Sequence, residues 1–280
     1  MSWLWILLLT SPADSPFAFR EVAPGALELS ERGRPVYVYN YGMMLKEGAP
    51  EDRRRACYLH PLWTPGGTVV TDDFPRDHYH HRGVFWAWPR VRVRDQMLDL
   101  WSVRGIQQKF LRWTRRETGP SAARLEVENG WFLGERMLMR ERVRIATRPA
   151  HGPARELEFQ LRFEALEPLE IAGEPAQSKG YGGFSIRFAP RRQTVIRTEA
   201  GIEKEDSNMV PHPWAELEGD FGGRRAAVRI EIAPSNPGYP NGWCIRHYGF
   251  LGVNFPGLEA LRLEPGQAFE LGYRVVVSDR

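Results

Sequence analysis

The sequence predicts an all-β protein, a large antiparallel β-sandwich with few short helices. Three observations carry that expectation. Apolar and polar residues alternate with period two in run after run, most clearly where Leu157, Phe159, Leu161 and Phe163 interleave with Glu158, Gln160, Arg162 and Glu164. The 27 glycines and 22 prolines punctuate these runs, supplying enough turns to fold short strands back on one another. Only residues 95–113 have helical spacing, in Met97, Leu98 and Trp101, and Gly105 interrupts it, so a short helix or a loop is expected there.

Taken in order, residues 1–18 form an apolar leader, with an apolar run from Trp3 to Leu9 and small residues at Ser11, Pro12 and Ala13. It has the outline of a weak or truncated signal peptide without a basic start. Periplasmic or secreted location is the expectation, and cytoplasmic location the alternative if the leader is a plain apolar strand. Residues 19–280 are expected to form a single β-sandwich domain. Strands are expected over 35–45, after the Thr64-Pro65-Gly66-Gly67 turn at 67–71, and over 83–89, where Pro89 ends the run. Three more follow between 123 and 164, then one within 179–189. The remainder are expected over 226–233, where Val228, Ile230 and Ile232 point inward, after the Pro/Gly loop that begins at 236, and over 269–277.

A 42% hydrophobic and 26% charged composition is that of a globular chain with a substantial core, and 12% aromatic is high. The net charge of +3 is carried almost wholly by arginine, since only Lys46, Lys109, Lys179 and Lys204 are lysines. Many arginines alternate with apolar residues and sit near glutamates, so no concentrated basic stripe marks a nucleic-acid partner. The run Arg53, Arg54, Arg55 follows Glu51 and Asp52 and reads as a surface loop. No segment reaches the roughly 20 apolar residues of a membrane span. Cys57 and Cys244 lack the spacing of a metal ribbon, and sequence alone does not pair them.

Residues 58–88 stand apart, with His60, His78, His80 and His81 among carboxylates and large aromatics. On an extended strand His78 and His80 would share one face, with Asp77, Tyr79 and His81 on the other. Two chemistries suit that pattern. His78 and His80 can ligate a divalent metal, completed by His60, His247 or a carboxylate such as Glu203 or Glu205. Without metal, one of His78, His80 and His81 can transfer protons near neutral pH, with Asp77 orienting it and Arg82 stabilising developing negative charge. A polar loop whose members merely satisfy one another is the plain alternative. For a small-molecule or saccharide substrate, Trp86, Trp88, Tyr181 and Trp243 offer apolar platforms, and Arg82, Arg187, Arg246 and Asn236 polar contacts. His60 and His247 complete the candidate binding set. The Lys179-Gly180-Tyr181-Gly182-Gly183 segment is not a phosphate loop, because no Lys-Ser/Thr or helix follows its glycines.

HP at 60–61, TPGG at 64–67, DHYHHRG at 77–83, WAW at 86–88, KGYGGFSIRF at 179–188, SNP at 235–237, GWCIRHYG at 242–249 and the terminal LEPGQAFELGYRVVV together resemble a bacterial family of unknown function labelled PmoA, or methane oxygenase PmoA. The resemblance covers nearly the whole chain after the leader. It carries no settled activity, and membrane methane oxidation does not follow, because the chain lacks the long apolar spans that chemistry needs. A looser likeness is to the galactose-mutarotase-type supersandwich, a scaffold of sugar epimerases, polysaccharide lyases and carbohydrate-binding domains. The leading expectation is a carbohydrate-active lyase, isomerase or hydrolase with a histidine acid/base or metal site. A non-catalytic carbohydrate-binding module and a soluble metal-dependent oxygenase are the alternatives.

Overall fold

Leu157, Phe159, Leu161 and Phe163 are buried, while the polar residues between them lie nearer solvent. The same period-two burial runs through the paired strand, where Phe269, Leu271, Tyr273, Val275 and Val277 face inward. Alternation of this kind pairs antiparallel strands and leaves each sheet with one face to cover. In this computed structural model, which describes residues 15–280, that need is met by packing two sheets face to face.

In chain order the strands are β1 (Phe17–Ala23), β2 (Ala26–Glu31), β3 (Arg34–Asn40), β4 (Tyr58–Leu62), β5 (Val84–Ala87), β6 (Arg90–Val93), β7 (Gln96–Leu98) and β8 (Gln107–Thr118). Next come β9 (Ala123–Leu133), β10 (Arg136–Thr147), β11 (Ala154–Ala165), β12 (Leu169–Ala172), β13 (Gly183–Arg187), β14 (Arg192–Thr198) and β15 (Gly201–Glu203). The last are β16 (Ser207–Pro211), β17 (Trp214–Asp220), β18 (Arg225–Ile232), β19 (Gly242–Arg246), β20 (Phe250–Val253), β21 (Leu261–Leu263) and β22 (Ala268–Asp279). One nine-stranded sheet runs β1-β2-β3-β4-β5-β13-β20-β19-β16, and a second runs β15-β14-β17-β18-β22-β11-β10-β9-β8. A four-stranded sheet, β21-β12-β6-β7, accompanies them.

Aromatic contacts fix the inner faces. Trp88, just after β5, meets Trp131 of β9 at 5.2 Å and Phe163 of β11 at 5.1 Å between ring centroids. Phe184 of β13 stacks on Tyr273 of β22 at 4.4 Å. Each aromatic removes a large apolar area from water, so these cross-sheet pairs hold the layers together.

Two expectations are corrected. Residues 95–113, expected as a short helix or a loop, hold the loop only between β7 and β8, and the start of β8 is strand because the free edge of β9 offers it a ladder that outweighs weak helical spacing. Residues 67–71 make only isolated bridges, from Val69 to Trp63 and from Thr71 to Phe188. Asp279 takes the Thr64 hydroxyl at 2.6 Å and the Gly66 N–H at 2.7 Å, holding that segment in a turn. Among the described residues the only helical elements are single 3₁₀ turns, Glu51–Arg53 and Ala176–Ser178. The apolar leader expected over 1–18 lies outside the described residues through position 14, and Phe17 and Ala18 already belong to β1.

Candidate functional site

Strand parity sets the floor of the site. In β19, Trp243 and Ile245 face the core, so Cys244 and Arg246 emerge on the outer face of the first sheet. Register then aligns Arg187 of β13, Phe250 of β20 and Arg246 of β19 in one row. The next row is Phe85, Ser185, Gly252 and Cys244. Gly252 is required there: a Cβ would come within 2.8 Å of the Phe250 ring, which lies across that position.

Above this floor the histidine segment forms consecutive turns and not a strand. His78 N–H donates to Pro75 O at 3.0 Å, and His81 N–H to His78 O at 2.8 Å. Turn geometry brings residues i and i+3 together, so His78 and His81 share a side, contrary to the alternation expected of a strand. Their rings stack at 4.6 Å and 5°. Tyr248 stacks on His78 at 5.2 Å and Phe250 on His81 at 4.9 Å, completing a four-ring column. His80 stands nearly perpendicular to both neighbouring imidazoles, with centroids 5.7 Å from His78 and 4.6 Å from His81.

Arg82 does not face this space. It is fully buried; its guanidinium donates to Tyr79 O, His81 O and Arg53 O and lies 3.4 Å from the Phe74 ring centroid. It therefore positions the histidine turns instead of meeting a substrate. Asp77 accepts Arg187 Nη2 on both oxygens at 2.9 Å, and His78 Nδ1 approaches the same carboxylate at 3.0 Å with poor hydrogen-bond geometry. Burial pushes the Asp77 carboxyl up, but the contacts from His78 and Arg187 outweigh it, and the net shift is downward. Arg187 also covers the Tyr248 ring at 4.9 Å.

The result is a cleft of about 300 Å³ lined by His78, His80, His81, Trp101, Tyr181 and Tyr248 above the Cys244, Arg246 and Phe250 floor, with Lys179 at its edge. That volume is the lower end of what small-molecule sites occupy. Gly180, with φ +61° and a Cβ position blocked by Met209 Sδ, turns the chain between Lys179 and Tyr181. Trp101 packs on Tyr181 at 4.9 Å, and its loop is fixed by Arg55, whose guanidinium donates to Leu100 O at 3.2 Å and Trp101 O at 3.3 Å.

Burial, reinforced by His78 and Arg55, drives the His80 pKa down to about 4. His81, only 3% exposed, is shifted well below the usual imidazole range by burial and by its histidine and arginine neighbours. Burial likewise pushes Tyr181 and Tyr248 up to about 12. Among the described residues His80 makes no side-chain hydrogen bond, and the buried Nδ1 of His81 has no partner. Near neutral pH the cleft thus presents two neutral imidazoles and two protonated phenols.

Other expected members lie elsewhere. Trp88 and Trp243 are 0% exposed, their indole N–H groups donating to Phe255 O and His212 O, so they are core and not platforms. Trp86 is also buried, stacked on Phe184. Asn236 bridges the N–H and C=O of Gly272 in β22, on the second sheet. His247 Nδ1 sits 2.9 Å from Asp206 and its Nε2 3.1 Å from Glu203 O; it braces a turn outside the cleft. His60 contacts Thr71 Oγ1 at 3.1 Å and Asp73 at 3.3 Å in a separate cluster with Tyr58. Glu203 accepts the Thr198 hydroxyl, and Glu205 is exposed.

For the metal expectation, His78 and His80 are neighbours, but among the described residues no three His, Cys, Asp or Glu side chains converge to hold an ion. His78 and His81 stack face to face, an arrangement that does not aim their nitrogens at one point. Cys57 and Cys244 are both free and buried.

Trp101, Lys179, Cys244, Tyr248 and Phe250 join the cleft without having been singled out by sequence. The parity of Gly242–Arg246 holds the signal for Cys244, which must share a face with Arg246. Phe250 becomes visible only through cross-strand register.

Fold and cleft together define a β-sandwich protein with a small-molecule-sized site on the outer face of one sheet. The chain belongs to a family of unknown function (DUF6807), whose model matches residues 26–280. No curated protein matches its sequence. The family match carries neither the PmoA label nor a supersandwich relationship. Among the described residues no helix is long and apolar enough to cross a membrane.

Proposed function

We propose that the cleft is the active site of an enzyme acting on a carbohydrate or related polyol, with His80 as general base. The observation that carries this reading is an imidazole held neutral by burial, free of protein hydrogen bonds, in a cleft walled by Trp101, Tyr181 and Tyr248. A general base must be unprotonated and within reach of its substrate. With a pKa of about 4, His80 meets the first condition across the neutral range but is a weak base, so hydrogen bonding to the developing anion must supply the rest. Tyr181, kept protonated, can donate a hydrogen bond to a hydroxyl or developing oxyanion, and the aromatic walls suit the apolar face of a sugar ring. Asp77 and Arg82 act here as positioning residues, the first through Arg187 and the second through the carbonyls of the histidine turns.

The test is a panel of neutral and acidic mono- and disaccharides incubated with wild type and with His80→Ala, with products followed by NMR. Conversion of one sugar class, reduced about 10²–10⁴-fold in a variant of unchanged fold, is expected. Equal conversion by both proteins would remove His80 from the chemistry. Binding without conversion by wild type would favour a carbohydrate-binding module and contradict the enzymatic reading.

A further inference from the structure

The geometry points to an acidic saccharide as the occupant, its anionic group seated between Lys179 and Arg246; this rests on the carbohydrate reading and narrows it. Among the described residues no aspartate or glutamate lines the cleft, while Lys179 and Arg246 both do. Lys179 makes no ion pair among the described residues. Arg246 donates only to neutral oxygens, Ser207 O and Ile245 O at 2.8 Å and Asn208 Oδ1 at 2.5 Å.

Many surface arginines are met by carboxylates. Glu128 alone is approached by Arg112, Arg140 and Arg142, and Arg274 is met by both Glu156 and Glu231. Arg55, Arg82 and Arg191 likewise donate only to neutral oxygens, but Lys179 and Arg246 line a cleft that also holds an unpartnered imidazole nitrogen. Both act on the same atom: burial raises the Cys244 thiol to about 11, Arg246 and Lys179 pull it down, and Asp206, which is not part of the cleft lining, pushes it up. The two charges therefore flank one patch of the floor.

Two further groups lean the same way. Arg187, next in the floor row, gives Asp77 only its Nη2, and its buried Nε and Nη1 have no partner among the described residues. His81 is almost wholly buried at this site with Nδ1 unpartnered. A carboxylate, sulfate or phosphate on the sugar would meet charge-assisted donors already in place, in a recess that screens them less than open water does.

The test is calorimetric titration of the full chain with glucuronate and galacturonate, beside glucose and galactose. Glucose 6-sulfate and glucose 6-phosphate separate the three anionic groups. Acidic sugars should bind about 10-fold or more tighter than their neutral parents, as expected for one charged hydrogen bond. Lys179→Met should abolish that preference, and wild-type affinity for the acid should fall as salt rises from about 50 to about 500 mM. Because the Lys179 ammonium makes no bond to the protein, this variant should fold; should it not, the acid-to-neutral ratio and salt dependence of wild type decide. Neutral parents binding as tightly as the acids, without salt dependence, would overturn the inference and leave the carbohydrate reading standing. Failure of every sugar to bind would overturn both.

Discussion

Glu141 and the cleft histidines are both withdrawn from water, yet one is fully partnered and the others are not. Glu141 is 0% exposed on the core side of β10 and accepts Asn129 Nδ2 at 2.8 Å, Gln108 Nε2 at 2.6 Å and Trp131 Nε1 at 2.9 Å. Gln108 passes the network to Arg55, and Asn129 passes it to Tyr39. Burial raises the Glu141 carboxyl, and these donors pull it back. By contrast, His80 has no side-chain hydrogen bond among the described residues, and His81 Nδ1 is buried without one. An orphaned buried group costs stability, and the Glu141 carboxylate avoids that cost with three donors, although Asn129 Oδ1 and Arg55 Nε in the same network, and Tyr37 and Tyr273 in the core, have no partner among the described residues. On the proposed function, the unpartnered imidazoles beside the cleft are left for a ligand.

Glu141→Ala gives the sharpest break in that comparison, orphaning three buried donors and opening a cavity. A loss of about 3–5 kcal/mol is expected from urea unfolding. A loss below about 1 kcal/mol would mean that the core network is no better satisfied than the cleft.

Acid should expose the opposite behaviour of the histidines. Unfolded, an imidazole takes its proton near 6.5, whereas folded His80 stays neutral down to about 4. Between those values the unfolded chain binds more protons, so stability is lost as pH falls from about 6.5 to about 4, and nothing is lost above 6.5 on this account. His80→Gln should flatten that part of the stability curve relative to wild type, as read by urea midpoints at several pH values. An unchanged slope would show that His80 is not held neutral.

Smaller effects sharpen the contrast. His80→Ala should change stability by about 1–2 kcal/mol, because it loses ring contacts with His78 and His81 but no hydrogen bond among the described residues. His247→Ala should change it by about 0.5 kcal/mol or less, since its contact with Asp206 is a partly exposed pair, and should leave sugar conversion untouched. A clear loss of conversion in the second variant would place His247 back in the site.

The fold was legible where alternation was long. β11 and β18 bury the residues their patterns assign, including Val228, Ile230 and Ile232. It was illegible where pairing overrides local pattern: β8 forms as one arm of a hairpin with β9, and the turn before Thr68 is held by Asp279 from the far end of the chain. Residue types in the histidine block pointed to a segment that lines the cleft, but strand alternation gave the wrong faces. Two consecutive turns, tied down by buried Arg82, stack His78 on His81 instead. Trp243 drew attention through its Pro/Gly surroundings, whereas its parity with Ile245 already assigned it to the core.

The most direct test of the central claim is an NMR titration of the His80 ring nitrogens, assigned by comparison with His80→Gln and followed with and without an acidic sugar. A ring that stays neutral down to about pH 4 and shifts on adding glucuronate or galacturonate is the predicted result. A ring that titrates near 6.5 and responds to no sugar would contradict the account.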